Sequence, residues 1–321
     1  MIDNFGREIN YLRISVTDRC NLRCRYCMPA EGCVNLIPHS EILSFEEILR
    51  LTEAAASIGI GKIRLTGGEP LVRHSIVDLI RRMNQIDGIN EIDITTNGVL
   101  LADMAEDLKE AGVRRVNISL DTFDADKYRM ITRGGDINRV LKGIEAAERV
   151  GLTPIKINCV ALKGFNDDEF DDFVNLTREK DLRVRFIELM PIGHNDLGGD
   201  YGFISNQELL ARFPELEPCG PQKFSVADEY RLPGAAGTVG FISALSHHFC
   251  AECNKLRLTS DGKIKPCLHS NEEIDVKTVL RNGTDEDVRN LLIESVGHKV
   301  AHHMLNEGAG PIDRDMNKIG G

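Results

Sequence analysis

Tyr11-Leu12-Arg13-Ile14-Ser15-Val16-Thr17, followed after two residues by Cys20-Asn21-Leu22-Arg23-Cys24-Arg25-Tyr26-Cys27, decides how the rest of the chain is read. The first segment alternates apolar and polar residues and is rich in β-formers, which predicts a strand. The second places three cysteines within eight residues, spaced C-x3-C-x2-C, in the loop at that strand's C-terminal end. Iron–sulfur clusters are held by cysteine sulfur, so three close thiolates suit one. Three cysteines leave one iron of a cubane without a protein ligand, and catalytic metal sites likewise keep a position open for chemistry. Half of a structural zinc site, completed by a distant histidine or cysteine, is the alternative that the spacing alone leaves standing.

Outward from that loop the chain alternates helices and strands. Ser44-Phe45-Glu46-Glu47 is a capping box that opens a helix through about Ser57, stopped by Gly59. Strands are predicted at Lys62–Thr66, Glu91–Thr95, Arg115–Leu120, Pro154–Val160 and Val184–Leu189. Helices are predicted over 75–85, 102–111, 125–131, 137–150 and 167–178. Strand–helix alternation at this spacing means βαβ units and a parallel sheet. Six units are too few for the usual eight-fold barrel, so the expected fold is α/β, a partial (β/α)6 TIM-like barrel. Polar groups gather at the C-terminal strand ends: the cysteine loop, Thr66-Gly67-Gly68-Glu69-Pro70, Thr95-Thr96-Asn97, Ser119-Leu120-Asp121, Asn158 and Glu188. Parallel α/β folds bind ligands at that edge, so six polar ends together mark a binding face. Residues 191–240 hold eight glycines and five prolines and predict irregular, extended structure covering the barrel. The expected organisation is a core over 1–220 and a C-terminal region over 221–321.

Composition narrows the classes. The 321 residues are 42% hydrophobic and 28% charged, as in a globular protein with a sizeable core. The N-terminus has no basic and apolar leader pattern, and no apolar run approaches a membrane span. Nine cysteines, an odd number, then favour metal binding in a reducing cytoplasm over disulfides. A net charge of −11 argues against nonspecific nucleic-acid binding. Arg13, Arg19, Arg23, Arg25, Arg64 and Arg73 nevertheless lie near candidate loops, which points to a small anionic ligand.

A second cysteine set, Cys250, Cys253 and Cys267, follows the spacing C-x2-C-x13-C. Asp261-Gly262 is a hairpin signal that would fold Cys267 back onto the pair. Taken alone this is a zinc ribbon lacking one ligand, with His247, His248 or His269 as the fourth, or a second cluster. Two three-cysteine sets in one chain favour two clusters over two incomplete zinc sites. Cys33, Cys159 and Cys219 are expected to be buried or incidental thiols. The terminal Gly320-Gly321 is, by composition, a frayed end.

The C-x3-C-x2-C loop with Tyr26 before its last cysteine, and Gly67-Gly68-Glu69-Pro70 after the second strand, resemble the radical S-adenosylmethionine superfamily. The second triad and the Gly-Gly ending narrow the resemblance to its GTP 3′,8-cyclases, which open molybdenum-cofactor biosynthesis. The match covers almost the whole chain. It implies that Cys20, Cys24 and Cys27 hold one [4Fe-4S] cluster that binds S-adenosylmethionine. It implies that Cys250, Cys253 and Cys267 hold a second cluster facing the guanine of GTP. Tyr26, Gly68, Ser119 and Met190 match positions that contact S-adenosylmethionine. Arg13, Arg64, Thr95, Lys156, Lys255, Leu256 and Arg257 match substrate-contacting positions, and Lys62 and Arg185 are further triphosphate candidates. Arg257, Gly320 and Gly321 match the family's catalytic positions, the tail reaching into the active site. Lys255 departs from the more usual arginine and loses its fork geometry. His269 stands where an apolar residue is more usual, which keeps it a candidate ligand of the second cluster. The implied partners are GTP, an electron donor and the next pathway enzyme, cyclic pyranopterin monophosphate synthase; a homodimer is compatible with the resemblance. The rivals are another two-cluster radical enzyme acting on a peptide or other substrate, and a zinc-binding interaction module.

Overall fold

Strand and helix alternate from Tyr11 onward in a computed structural model that describes residues 1–30, 36–193, 197, 201–221, 223–247, 249–303, 312 and 314–320. The first half runs β1 (Tyr11–Ser15), α1 (Phe45–Ser57), β2 (Lys62–Thr66), α2 (Ile76–Met83), β3 (Glu91–Thr96), α3 (Leu101–Glu110), β4 (Val113–Ser119), α4 (Ala125–Thr132), α5 (Ile137–Arg149), β5 (Ile155–Lys163), α6 (Phe170–Glu179) and β6 (Leu182–Glu188). Local chemistry sets several helix starts. Ser44 and Glu47 close the capping box of α1, and the Asp124 and Asp136 side chains cap α4 and α5.

β1 to β6 lie side by side in chain order and all run parallel. Crossovers of one hand put the helices on one face, and the sheet forms the wall of a partial barrel. Residues alternate along each strand. Leu12, Ile14, Ile63, Leu65, Ile94, Val116, Ile118, Ile157, Val184 and Phe186 are buried in the hydrophobic core. The residues between them face the barrel's hollow and are mostly polar.

The chain continues through β7 (Gly202–Phe203), α7 (Asn206–Leu210), β8 (Glu217–Pro218), β9 (Asp228–Arg231), β10 (Thr238–Ile242), β11 (Lys255–Leu258), β12 (Lys263–Lys265), β13 (Ile274–Asp275), α8 (Lys277–Asn282), α9 (Asp285–Gly297) and α10 (Met316–Ile319). Here the sheet outgrows the expected six strands. β10 adds parallel to β6, and β11 adds parallel to β1 with Arg257 level with Arg13. The parallel order is β11-β1-β2-β3-β4-β5-β6-β10, with β9, β8 on one edge and β12, β13 on the other. The hairpin expected at Asp261-Gly262 joins β11 to β12.

The expectation of irregular structure through 191–240 is corrected at β10, whose Val239 and Phe241 are core residues. Its flanking glycines are steric requirements and not loop punctuation. A Cβ on Gly237 would collide with the Leu182 carbonyl, and one on Gly240 would come within 3.3 Å of Arg185 and Ala227. Among the described residues no helix is long and apolar enough to cross a membrane.

Candidate active site

The hollow of the partial barrel is a cavity of about 810 Å³. Its wall repeats an apolar–cationic–apolar triplet on five strands, interrupted at β3 and β4, where Asp93 and Asn117 take the inward position. Arg13 on β1, Arg64 on β2, Lys156 on β5, Arg185 on β6 and Arg257 on β11 all line it. Register stacks them: Arg257, Arg13 and Arg64 are level across three strands, and Lys156 is level with Asn117 and Arg183. Part of this charge is neutralised. Arg64 pairs with Asp93 at 2.7 Å, Lys62 with Glu91 at 2.6 Å, and Arg185 with Glu229 at 2.9 Å.

Lys156 makes no ion pair among the described residues. Burial, and then the repulsion of Arg185, Arg64, Arg115 and Arg183, push its pKa down to about 6. Lys62, Arg64 and Lys255 crowd the Tyr11 ring at 5.2 to 5.5 Å. Buried polar atoms ordinarily find partners. Among the described residues, several that line this cavity do not, including Arg64 Nε, Thr95 Oγ1, Asn117 Oδ1, Asn158 Oδ1 and Arg185 Nε. Excess positive charge with unspent donors and acceptors is the arrangement that a polyanionic, polar ligand completes.

The first cysteine loop lies beyond β1. Gly68 packs against it so closely that a Cβ would collide with the Arg19 carbonyl, while its N–H donates to Thr17 O at 2.8 Å. Buried Glu69 accepts from Thr96 Oγ1, Asn97 N and Leu71 N. Asn97 in turn reaches Asn21 at 2.8 Å and Cys20 Sγ at 3.7 Å. Burial raises the Cys24 thiol well above its ordinary pKa, and Cys27, Asp121 and Cys20 add to this. A bound cation would reverse that penalty. The Tyr26 hydroxyl donates to Asp121 at 2.6 Å, and burial pushes Asp121 up to about 6.

Cys250, Cys253 and Cys267 line the cavity on the side of β11. Burial would raise Cys253, but Lys299 and Lys255 outweigh it and hold the thiol below its ordinary value. Among the described residues no group of three or more His, Cys, Asp or Glu is arranged to hold a single metal ion. A four-iron cluster asks for something different, a thiolate on each of three separate irons. Two half-buried thiol triads, one with Asp121 nearby and one with Lys255 and Lys299, fit that donor chemistry.

Tyr26, Ser119, Met190, Arg13, Arg64, Thr95, Lys156, Lys255 and Arg257 all line the one cavity. Leu256 does not. β11 alternates, so the Leu256 side chain turns outward and is fully buried in the core. His269 lines the cavity with Nε2 3.2 Å from Met190 Sδ, and burial holds its pKa down at about 3. Gly320 is not frayed: it sits at the ends of β1 and β2 with φ +75°, where a Cβ would collide with Thr66 Oγ1, and Arg257 donates to its carbonyl at 3.4 Å. Gly321, Cys33 and His248 lie outside the described residues. Cys159 is buried and Cys219 exposed. Arg115 and Asn117 are cavity residues that the motifs did not single out. Their inward strand parity was the available signal.

Known proteins fit this geometry. Residues 14–177 match the radical SAM superfamily, and residues 182–305 match Molybdenum Cofactor Synthesis C. The fold is similar to Streptococcus suis SuiB, with a TM-score of 0.58 at 15% identity over 88% of this chain and 66% of that one. Its S-adenosylmethionine-bound structure scores 0.57 at 17% identity over 85% and 65%. The fold is that of a radical SAM protein. The chain is also 52% identical over 322 residues, all of both chains, to the GTP 3′,8-cyclase of Alkaliphilus oremlandii. Against those of Moorella thermoacetica and Peptoclostridium acidaminophilum it is 52% and 51% identical, over all of this chain and 100% and 98% of theirs. It belongs to the GTP 3′,8-cyclase family.

Proposed function

We propose that the chain converts GTP to (8S)-3′,8-cyclo-7,8-dihydroguanosine 5′-triphosphate, an early step of molybdenum-cofactor biosynthesis. The observation that carries this reading is one cavity lined by Cys250, Cys253 and Cys267, by Tyr26 of the first cysteine loop and by an under-neutralised cationic wall. Cys20, Cys24 and Cys27 hold the first [4Fe-4S] cluster, and Cys250, Cys253 and Cys267 the second. Held by Cys20, Cys24 and Cys27, the first cluster would supply the electron for cleavage of S-adenosylmethionine to methionine and the 5′-deoxyadenosyl radical that would take the 3′ hydrogen of GTP.

The chain's own residues orient the reactants. Ser119, Tyr26 and Met190 line the S-adenosylmethionine side, and Gly68 packs against the first cysteine loop beside it. Arg64, Lys156 and Arg185, with Lys62 beside them, grip the triphosphate, and Arg13, Thr95 and Lys255 hold the nucleoside. Arg257, on the Gly320 carbonyl, keeps the tail against the strand ends and excludes water there. An electron donor and a pathway enzyme that accepts the cyclised nucleotide are the partners this chemistry requires. A cytoplasmic homodimer is consistent with the reading.

The test is an anaerobic assay with GTP and S-adenosylmethionine. It should yield 5′-deoxyadenosine and a cyclised nucleotide. Cys24→Ala should abolish cleavage of S-adenosylmethionine, whereas Cys253→Ala should keep uncoupled cleavage and lose the cyclised product. Identical failure of both variants at cleavage would sink the division of labour.

A further inference from the structure

Beyond α9 the chain passes behind the second cysteine set, and Lys299 on that passage is only 5% exposed. Its ammonium donates to Lys255 O at 2.8 Å and Pro266 O at 3.1 Å, and it stands 3.8 Å from Cys253 Sγ. An ammonium has three N–H bonds, and these three acceptors take them all. Lys255 follows Cys253 by two residues, and Pro266 immediately precedes Cys267. One side chain therefore ties together the two segments that carry these cysteines. The third is tied from the same passage: Arg7 donates to Cys250 O at 2.8 Å and to Val300 O at 2.7 Å.

Neither Lys299 nor Arg7 lines the cavity, so neither is placed to hold substrate. Arg7 has a counter-charge in Asp3 at 2.6 Å. Lys299 makes no ion pair with a carboxylate among the described residues. A buried ammonium served by two carbonyl dipoles and one sulfur, with no carboxylate beside it, is costly. The negative charge that offsets it lies on the sulfur side, where a cluster with three thiolates is anionic and gains a further electron on reduction.

We infer that Lys299 is a positioning residue for the second cluster, clamping the Cys253 and Cys267 segments and raising the cluster's reduction potential through its charge beside Cys253 Sγ. Hydrogen bonds to the sulfurs and local net charge are what set such potentials. The inference rests on the proposed reading that Cys250, Cys253 and Cys267 hold a cluster.

The test uses the full chain carrying Cys20→Ala, Cys24→Ala and Cys27→Ala, which leaves the second site alone. Anaerobically reconstituted protein with Lys299, K299M or K299R is compared for iron and sulfide per chain, loss of iron to a chelator, and midpoint potential. K299M should lose iron at least tenfold faster. Its reduction equilibrium should move about tenfold toward the oxidised form, about 59 mV for one electron. K299R, which keeps the charge, should recover more than half of that shift. A K299M protein with the parent's potential and iron lifetime overturns the inference. A parent that binds no iron overturns the cluster reading and the inference with it. If K299M does not fold, as judged by circular dichroism, K299Q takes its place with the same expectation for the potential.

Discussion

Lys156 shows how much one inward-facing residue can decide. It sits between Ile155 and Ile157 on β5, whose side chains are in the core. With a pKa near 6 it is largely uncharged at neutral pH in the free protein. A triphosphate beside it restores the ammonium, so nucleotide binding takes up a proton in the window above pH 6, and affinity falls as pH rises through that window. Calorimetry in buffers of different ionisation enthalpy should detect this uptake in the parent and lose it in Lys156→Met. Removing a charge-assisted contact of about 1.5–3 kcal/mol should weaken GTP binding roughly ten- to hundredfold. For stability without nucleotide, the unfolded lysine binds its proton up to its ordinary pKa of 10.5, so from pH 6 upward the unfolded state holds more protons. That contribution makes the free protein more stable as pH rises. The inward cations were legible in the sequence as Leu12-Arg13-Ile14, Ile63-Arg64-Leu65 and Ile155-Lys156-Ile157, because an obligate core partner on either side fixes the parity. Lys299 was not legible: Gly297-His298-Lys299-Val300 has no such flanking pattern, and only tertiary contact distinguishes this lysine from a surface one.

At the level of elements, the cysteine loop and the first six strands could be placed because each begins or ends at a local signal, such as the Ser44 cap or the Gly67-Gly68 turn. β10 could not, because its glycines resemble loop composition and answer to neighbours distant in sequence. Its structural weight is testable. Phe241 is 3% exposed, with its ring stacked 5.9 Å from Phe186 and edge-on to Tyr230 at 5.5 Å. Phe241→Ala should cost about 3–5 kcal/mol in denaturant unfolding of the cluster-free protein. A loss below about 1 kcal/mol would mean that β10 is a dispensable cover and not a wall of the barrel. The same strand explains Arg185: Gly240 gives its side chain room, and Glu229 on β9 holds its guanidinium at the cavity.

Across the whole molecule, the tail joins the two halves of the site. Arg314 pairs with Asp261 at 2.9 Å and Glu273 at 2.6 Å, on the hairpin side that carries Cys267. Three residues on, Asn317 donates to Asp18 O at 2.9 Å, in the approach to the first cysteine loop. Between and beyond them Met316 and Ile319 pack with Ile192, Ile312, Met190 and Leu268. Gly320 then enters a left-handed turn at the ends of β1 and β2, beside Arg257. The tail is thus held at both cysteine sets, and its position depends on the spacing between them. If docking is the tail's role, loosening one clasp should lower turnover while leaving the triphosphate grip intact. Arg314→Ala should lower kcat for cyclisation at least tenfold with KM for GTP changed less than threefold, and should speed carboxypeptidase removal of the tail. Arg314→Asp should behave alike, and combining it with Asp261→Arg should recover part of both. A tail equally protected in Arg314→Ala would show that the apolar contacts of Met316 and Ile319 suffice. An unchanged kcat after complete removal of Gly320 and Gly321 would take the tail out of the active site altogether.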